Sequence, residues 1–123
     1  MTRTVLVTGV SRYLGGQMAS RLAADPDVDA VIGVDVVAPP EPIEGIEFVR
    51  ADIRNPIIAK VMGEASVDTV VHMGVIATPK QAGGRSTMKE INVIGTMQLL
   101  AACQRTPSVR SLVVKSTASV YGC

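Results

Sequence analysis

Aromatic side chains are nearly missing from this chain: Tyr13, Phe48 and Tyr121 are the only three, and tryptophan is absent. Its core must therefore be built from Val, Ile, Leu, Ala and Met. Short continuous runs of Val and Ile suggest strands buried on both faces, as in parallel sheets. Cysteine is equally scarce. Cys103 and Cys123 show no metal-ligand spacing, and His72 is the single histidine, so no metal site is expected. Cys103 reads as a small hydrophobe on a helix. Charge of one sign is lacking too. Lys and Arg number 12 against 11 Asp and Glu. The cations Arg50, Arg54, Lys80, Arg85 and Arg110 are scattered rather than clustered, which argues against a nucleic-acid partner. No apolar run approaches the ~18–20 residues that cross a bilayer. The first strand opens almost at Met1, which leaves no room for a signal peptide; the expected compartment is the cytoplasm.

What is present suits one α/β domain over residues 1–123, with 47% hydrophobic and 19% charged residues. Arg3–Thr8 is a β-branched run. Leu14, Met18 and Leu22 follow it at helical spacing, with Ala19 and Ala23 beside them, until Asp25-Pro26 stops the helix. Ala30–Asp35 is a second buried strand. Residues 38–45 carry Pro39, Pro40 and Pro42 and read as a surface loop before a third strand, Glu47–Ala51. Asn55-Pro56 is a helix start, with an N-cap side chain and then proline at the first helical position. That helix covers Ile57–Met62, and Gly63 can end it in a left-handed conformation. Thr69–Met73 is the fourth strand and Gly74–Ser86 a loop. Thr87 with Glu90 forms a capping box. The helix it opens runs to about Gln104, with Met88, Ile91, Gly95, Leu99, Ala102 and Cys103 on one side. Val109–Lys115 is the fifth strand. The alternation predicts a doubly wound parallel sheet of the Rossmann type, about five strands in the order 3-2-1-4-5, with helices on its faces.

The segment from Thr8 to Gly16 lies between the first strand and the first helix. Glycine there lets the backbone turn tightly and approach a pyrophosphate, and the helix N-terminus presents unpaired N–H groups. An acidic residue about 20 positions on should hold the adenine ribose hydroxyls, and Asp35 ends the second strand where that residue belongs.

With these features in place, the chain resembles the extended short-chain dehydrogenase/reductases, the NAD-dependent epimerase/dehydratase family, and among them the UDP-glucose 4-epimerase type. Thr8 to Gly15 is similar to TGxxGxxG. Ala51-Asp52-Ile53 is like the acidic segment that faces the adenine. Val70-Val71-His72-Met73-Gly74 is like VxHxAA. Asn92-Val93-Ile94-Gly95-Thr96 is like NVxGT, and Ser116-Thr117-Ala118-Ser119-Val120-Tyr121-Gly122 is like SSxxVYG.

The resemblance implies a nucleotide-sugar epimerase or dehydratase acting by transient hydride transfer to NAD. It assigns cofactor contacts to Gly9, Arg12, Tyr13, Leu14, Gly15, Asp35, Asp52, Ile53, His72, Met73, Gly74, Asn92 and Ser116. Thr117 matches the catalytic hydroxyl that bonds the substrate alcohol beside a Tyr base. Arg12 stands where the family has its middle glycine, and Ser11-Arg12 is also like the Ser-Arg of NADP-preferring relatives. Asp35 would repel a 2′-phosphate, so NAD is expected over NADP.

Asn92 admits a structural role as readily as a functional one. Gly95 points to close backbone packing, and Lys80 and Arg85 read as a solvated face. The family's Tyr-x-x-x-Lys pair is not in these residues. Tyr121 is not its tyrosine, because a Lys four positions on would lie past Cys123. The chain by itself is thus expected to be inactive. Two alternatives stay open: a non-catalytic dinucleotide-binding or sensor module, and a truncated domain whose fifth strand pairs with a second copy.

Overall fold

Val and Ile runs become strands and the Ala- and Leu-rich stretches between them become helices in the computed structural model. It describes residues 3–11, 13–53, 55–73 and 85–114, with residues 85–93 and 114 described by backbone alone. The elements are β1 (Thr4–Thr8), α1 (Tyr13–Ala24), β2 (Ala30–Asp35), β3 (Ile46–Arg50), α2 (Ile57–Ala65), β4 (Thr69–His72), α3 (Arg85–Arg105) and β5 (Ser111–Val114). All strand pairs are parallel, in the order β3-β2-β1-β4-β5, as the alternation predicts. The chain builds outward from β1 to β3, then crosses back through α2 to β4 on the other side of β1. That reversal is the topological switch point of a doubly wound sheet.

Both faces of the central strands are covered, which is why their sequences do not alternate with polar residues. Leu6, Ile32, Val34 and Val70 point to one face and pack with Ile58 and Met62 of α2 and Leu99 and Ala102 of α3. Val5, Val7, Val31 and Val71 point to the other, against Ala19 of α1, with Leu22, Ala23 and Phe48 at its margin. Each such fully buried aliphatic side chain contributes roughly 1.5–3 kcal/mol. The proline-rich stretch between β2 and β3 replaces a helical crossover and tucks Ile43 against the α1-side core. Among the described residues β5 is an edge, with Val113 53% exposed.

Four features of the helices depart from expectation. In α1 the buried face is Gly15 and Ala19, while Leu14 and Met18 are 49% and 36% exposed. The helix lies too close to the sheet for large residues: a Cβ on Gly15 would come within 2.1 Å of the Gly9 carbonyl oxygen. At the start of α2 the Asn55 side chain accepts the Ile57 N–H (3.0 Å), and Pro56 already has helical torsions, as expected. Its end is not Gly63. The helix continues to Ala65, and Ser66 takes the left-handed position (φ 54°). The extra turn lets Val67 bury completely before β4 begins. In α3 the backbone is already helical at Arg85, so Thr87 lies inside the first turn and not at an N-cap, and Arg85 and Ser86 leave the predicted loop. The last difference is at Gly95, where the close neighbour is the Ile53 side chain and not a backbone: its Cδ1 lies 2.7 Å from the site a Cβ would occupy. The strands shift by one or two residues at their ends.

Candidate functional site

The parallel arrangement brings the carboxyl ends of β1, β2 and β4 to one edge. Thr8 is in register with Val34 and with His72, so the segments leaving these strands meet above the sheet. In such sheets the crevice at the switch point is the ligand site.

The turn after β1 is set by Gly9 at φ 75°, a left-handed torsion that costs glycine little. Its N–H donates to the Val34 carbonyl at 2.8 Å, which ties the turn to β2. Val10 inserts into the α1-side core, and α1 opens at Tyr13. The small Gly15 lets that first helical turn close over the Gly9 carbonyl. Tyr13 itself is 76% exposed, and its hydroxyl accepts from Gln17 Nε2 at 2.7 Å.

Asp35 is half-buried at the end of β2 and is held from two sides. Its Oδ2 accepts both the backbone N–H (3.0 Å) and the hydroxyl of Ser11. Its Oδ1 accepts the Val36 N–H at 2.7 Å. A carboxylate offers about four acceptor positions, so among the described residues these three bonds leave one, on Oδ1. Arg50, in register with Asp35, turns its Nε to the Val36 carbonyl (3.0 Å). Val36 and Val37 are both half-exposed just past Asp35. The Asp35 carbonyl accepts from Ala51, which leads the chain into the half-buried Asp52 and Ile53. Ile53 rests on Gly95 of α3.

His72 ends β4 and is 1% exposed. Its Nδ1 is 2.7 Å from Thr8 Oγ1, and its Nε2 is 3.4 Å from Thr96 Oγ1. Thr8 Oγ1 also accepts the Met73 N–H at 3.0 Å. Burial pushes the imidazole pKa below its ordinary value, which favours the neutral ring. Met73 is half-buried against the α1-side core. Cys103 is half-buried beside the α2–α3 core, as expected, and burial raises its thiol pKa. Asn92 lies on α3, where only the backbone is described; Arg12, Gly74, Lys80, Ser116 and Thr117 lie outside the described residues.

Gly9, Gly15, Asp35, Asp52 and Ile53, predicted separately, thus converge on one edge. Sequence reasoning did not find the roles of Thr8, Val36 and Thr96. Thr8 and Thr96 are inconspicuous hydroxyls whose meaning appears only across strand pairing. The apolar pair Val36-Val37 ahead of a proline loop was a readable signal. The arrangement fits a nucleotide with a diphosphate. A glycine turn whose closure a Cβ would block suits phosphate oxygens, and one unspent acceptor on Asp35 suits a hydroxyl donor. Among the described residues, no three His, Cys, Asp or Glu side chains group as metal ligands. No described helix is long and apolar enough to cross a membrane.

Comparison with known proteins agrees with this geometry. The model of the NAD dependent epimerase/dehydratase family matches residues 5–123. An uncharacterised protein of Mycobacterium tuberculosis is 52% identical over 124 residues, covering 98% of this chain and 33% of that protein. Short-chain dehydrogenase/reductase family 42E member 1 of Homo sapiens is 35% identical, over 95% of this chain and 30% of its own length. Among solved structures, a UDP-glucose-4-epimerase from Stenotrophomonas maltophila with bound NAD and formylated UDP-arabinopyranose superposes with a TM-score of 0.82. It is 28% identical and covers 97% of this chain and 38% of that one. The chain therefore spans about a third of the length of the curated relatives it matches.

Proposed function

Because the chain belongs to the NAD dependent epimerase/dehydratase family, we propose that it is the NAD-binding part of a nucleotide-sugar epimerase or dehydratase. The observation that carries this reading is the end of β2: Asp35 is held by Ser11 and Val36 with one acceptor position to spare, beside the Gly9 turn. A ribose hydroxyl can donate to that position. A 2′-phosphate brings no donor and meets a carboxylate, so NAD is preferred over NADP.

In this reading the backbone from Gly9 to Gly15 cradles the pyrophosphate, with Arg12, Tyr13 and Leu14 on the approaching turn. Asp52 and Ile53 flank the adenine. Met73 and Gly74 line the adenine–ribose channel, Asn92 braces the strand-end loop, and Ser116 serves the nicotinamide ribose. Thr117 bonds the substrate hydroxyl that is oxidised. NAD, when bound, supplies a reversible hydride acceptor. Catalysis belongs to a protein that also carries a Tyr-x-x-x-Lys pair, which these 123 residues do not contain. The bound sugar nucleotide of the Stenotrophomonas protein supports the substrate class.

Calorimetric titration of the chain with NAD and NADP tests the proposal. NAD binds more tightly, and Asp35→Ala loses that preference. Equal or tighter binding of NADP would refute the cofactor assignment.

A second reading is net oxidation of an alcohol to a carbonyl, or the reverse reduction of a carbonyl, without return of the hydride. The 35% identity to a human short-chain dehydrogenase/reductase supports it. A net gain or loss of NADH, followed in a protein that carries both this segment and a Tyr-x-x-x-Lys pair, separates the two, since an epimerase shows neither.

A further inference from the structure

His72 is the one buried ionisable ring among the described residues, and the resemblance that names it as a cofactor contact gives its ring no role. It lies beneath the crevice, 1% exposed, between two elements that never touch in sequence. On one side is Thr8, the residue before the Gly9 turn, 2.7 Å from Nδ1. On the other is Thr96 of α3, 3.4 Å from Nε2. Thr96 follows Gly95, the seat of Ile53.

We propose that His72 is a positioning residue that couples the phosphate turn to the adenine wall. At 1% exposure, the ring acts through the groups packed against it. Thr8 is fixed by the Met73 N–H and by the ring, and Thr8 in turn sets where Gly9 begins its left-handed turn. Through Thr96 the same ring fixes the rotation of α3 at Gly95, and so the floor on which Ile53 rests. In either neutral tautomer one ring nitrogen donates and the other accepts, and a threonine hydroxyl can answer both. Among the described residues no buried side-chain nitrogen or oxygen lacks a partner, so the ring is held rather than loosely enclosed. A leucine would bond neither Thr8 nor Thr96 and would leave the two walls independent.

The inference rests on the reading that the Gly9 turn and Ile53 hold the two ends of an adenine nucleotide. Thr96→Val removes the hydroxyl while keeping the shape, and Thr96→Ser restores it. The expected result is a roughly 2- to 30-fold weaker NAD affinity by calorimetry for Thr96→Val, with recovery in Thr96→Ser. Amide exchange at Gly9, across β4 from the substitution, rises in Thr96→Val and recovers in Thr96→Ser.

His72→Asn keeps a polar atom near Thr8 but cannot reach Thr96. Adding Thr96→Val to His72→Asn therefore costs nothing further, because both remove one link. Wild-type affinity and unchanged Gly9 exchange in Thr96→Val, or additive losses in the double variant, would overturn the proposal. Should the wild type bind no NAD, the proposed function falls, and Gly9 exchange alone then decides the coupling.

Discussion

Two glycine-to-alanine changes in helices of this one chain should have opposite signs. Gly15 lies in the first turn of α1. A Cβ there would sit 2.1 Å from the Gly9 carbonyl oxygen and 2.8 Å from its carbon. Both atoms are backbone, so no rotamer change relieves the clash; the helix start or the turn must move. Overpacking of this kind costs about 1–3 kcal/mol, against a helix-propensity gain of up to about 1 kcal/mol from alanine. Because neither backbone atom can swing away, the upper part of that cost applies, and Gly15→Ala should lose about 2 kcal/mol net, or roughly 5–10 °C in Tm for a domain of this size.

Gly63 lies in α2 with open space where a Cβ would be. Gly63→Ala should gain about 0.4–1 kcal/mol by restricting the unfolded chain. Urea and thermal denaturation of the two variants beside the wild type measure both. Two results would refute the reasoning: a Gly15→Ala protein as stable as the wild type, or two variants that shift in the same direction. The same Gly15 variant should also lose NAD affinity, since the turn that moves is the proposed phosphate cradle.

Other outcomes follow from the same structure. Ser66 occupies a left-handed position without being glycine, so Ser66→Gly should stabilise the chain by up to about 1 kcal/mol in urea denaturation. Ser11→Ala removes one donor to Asp35 and frees an acceptor position on Oδ2. It should narrow the NAD preference less than Asp35→Ala does, as read from paired Kd values. The His72 pKa is lowered in the fold, so the unfolded chain binds its proton more readily. Stability is then undiminished above the ordinary histidine pKa of about 6.5 and falls as pH drops below it. His72→Gln should flatten that acid slope in melting curves taken at successive pH values; an unchanged slope would place the titrating group elsewhere.

The order of elements was legible because each signal is local. β2 occupies Ala30–Asp35, as its run of Val and Ile implies, and Asp25-Pro26 stops α1 where expected. Continuous apolar strands alternating with helices leave a parallel sheet as the one way to bury both faces, and Asp35 at a strand end followed from the motif. Asn55-Pro56 marked the start of α2 because capping is satisfied within three residues.

Choices between equivalent local options were made by tertiary structure. Leu14 and Met18 form as good an apolar stripe as Gly15 and Ala19. Only the closeness of α1 to the Gly9 turn selects the small residues for burial. Gly63 is a better left-handed terminator than Ser66, yet Val67 must reach the core, and that burial outweighs the preference. The hydrogen bonds from Ser11 to Asp35 span 24 positions, and the one between Thr8 and His72 spans 64. Their partners are strangers until the strands pair in register. Composition and periodicity determined which segments form the sheet and its helices; the register of β1 with β2 and β4 decided which side chains meet at its edge.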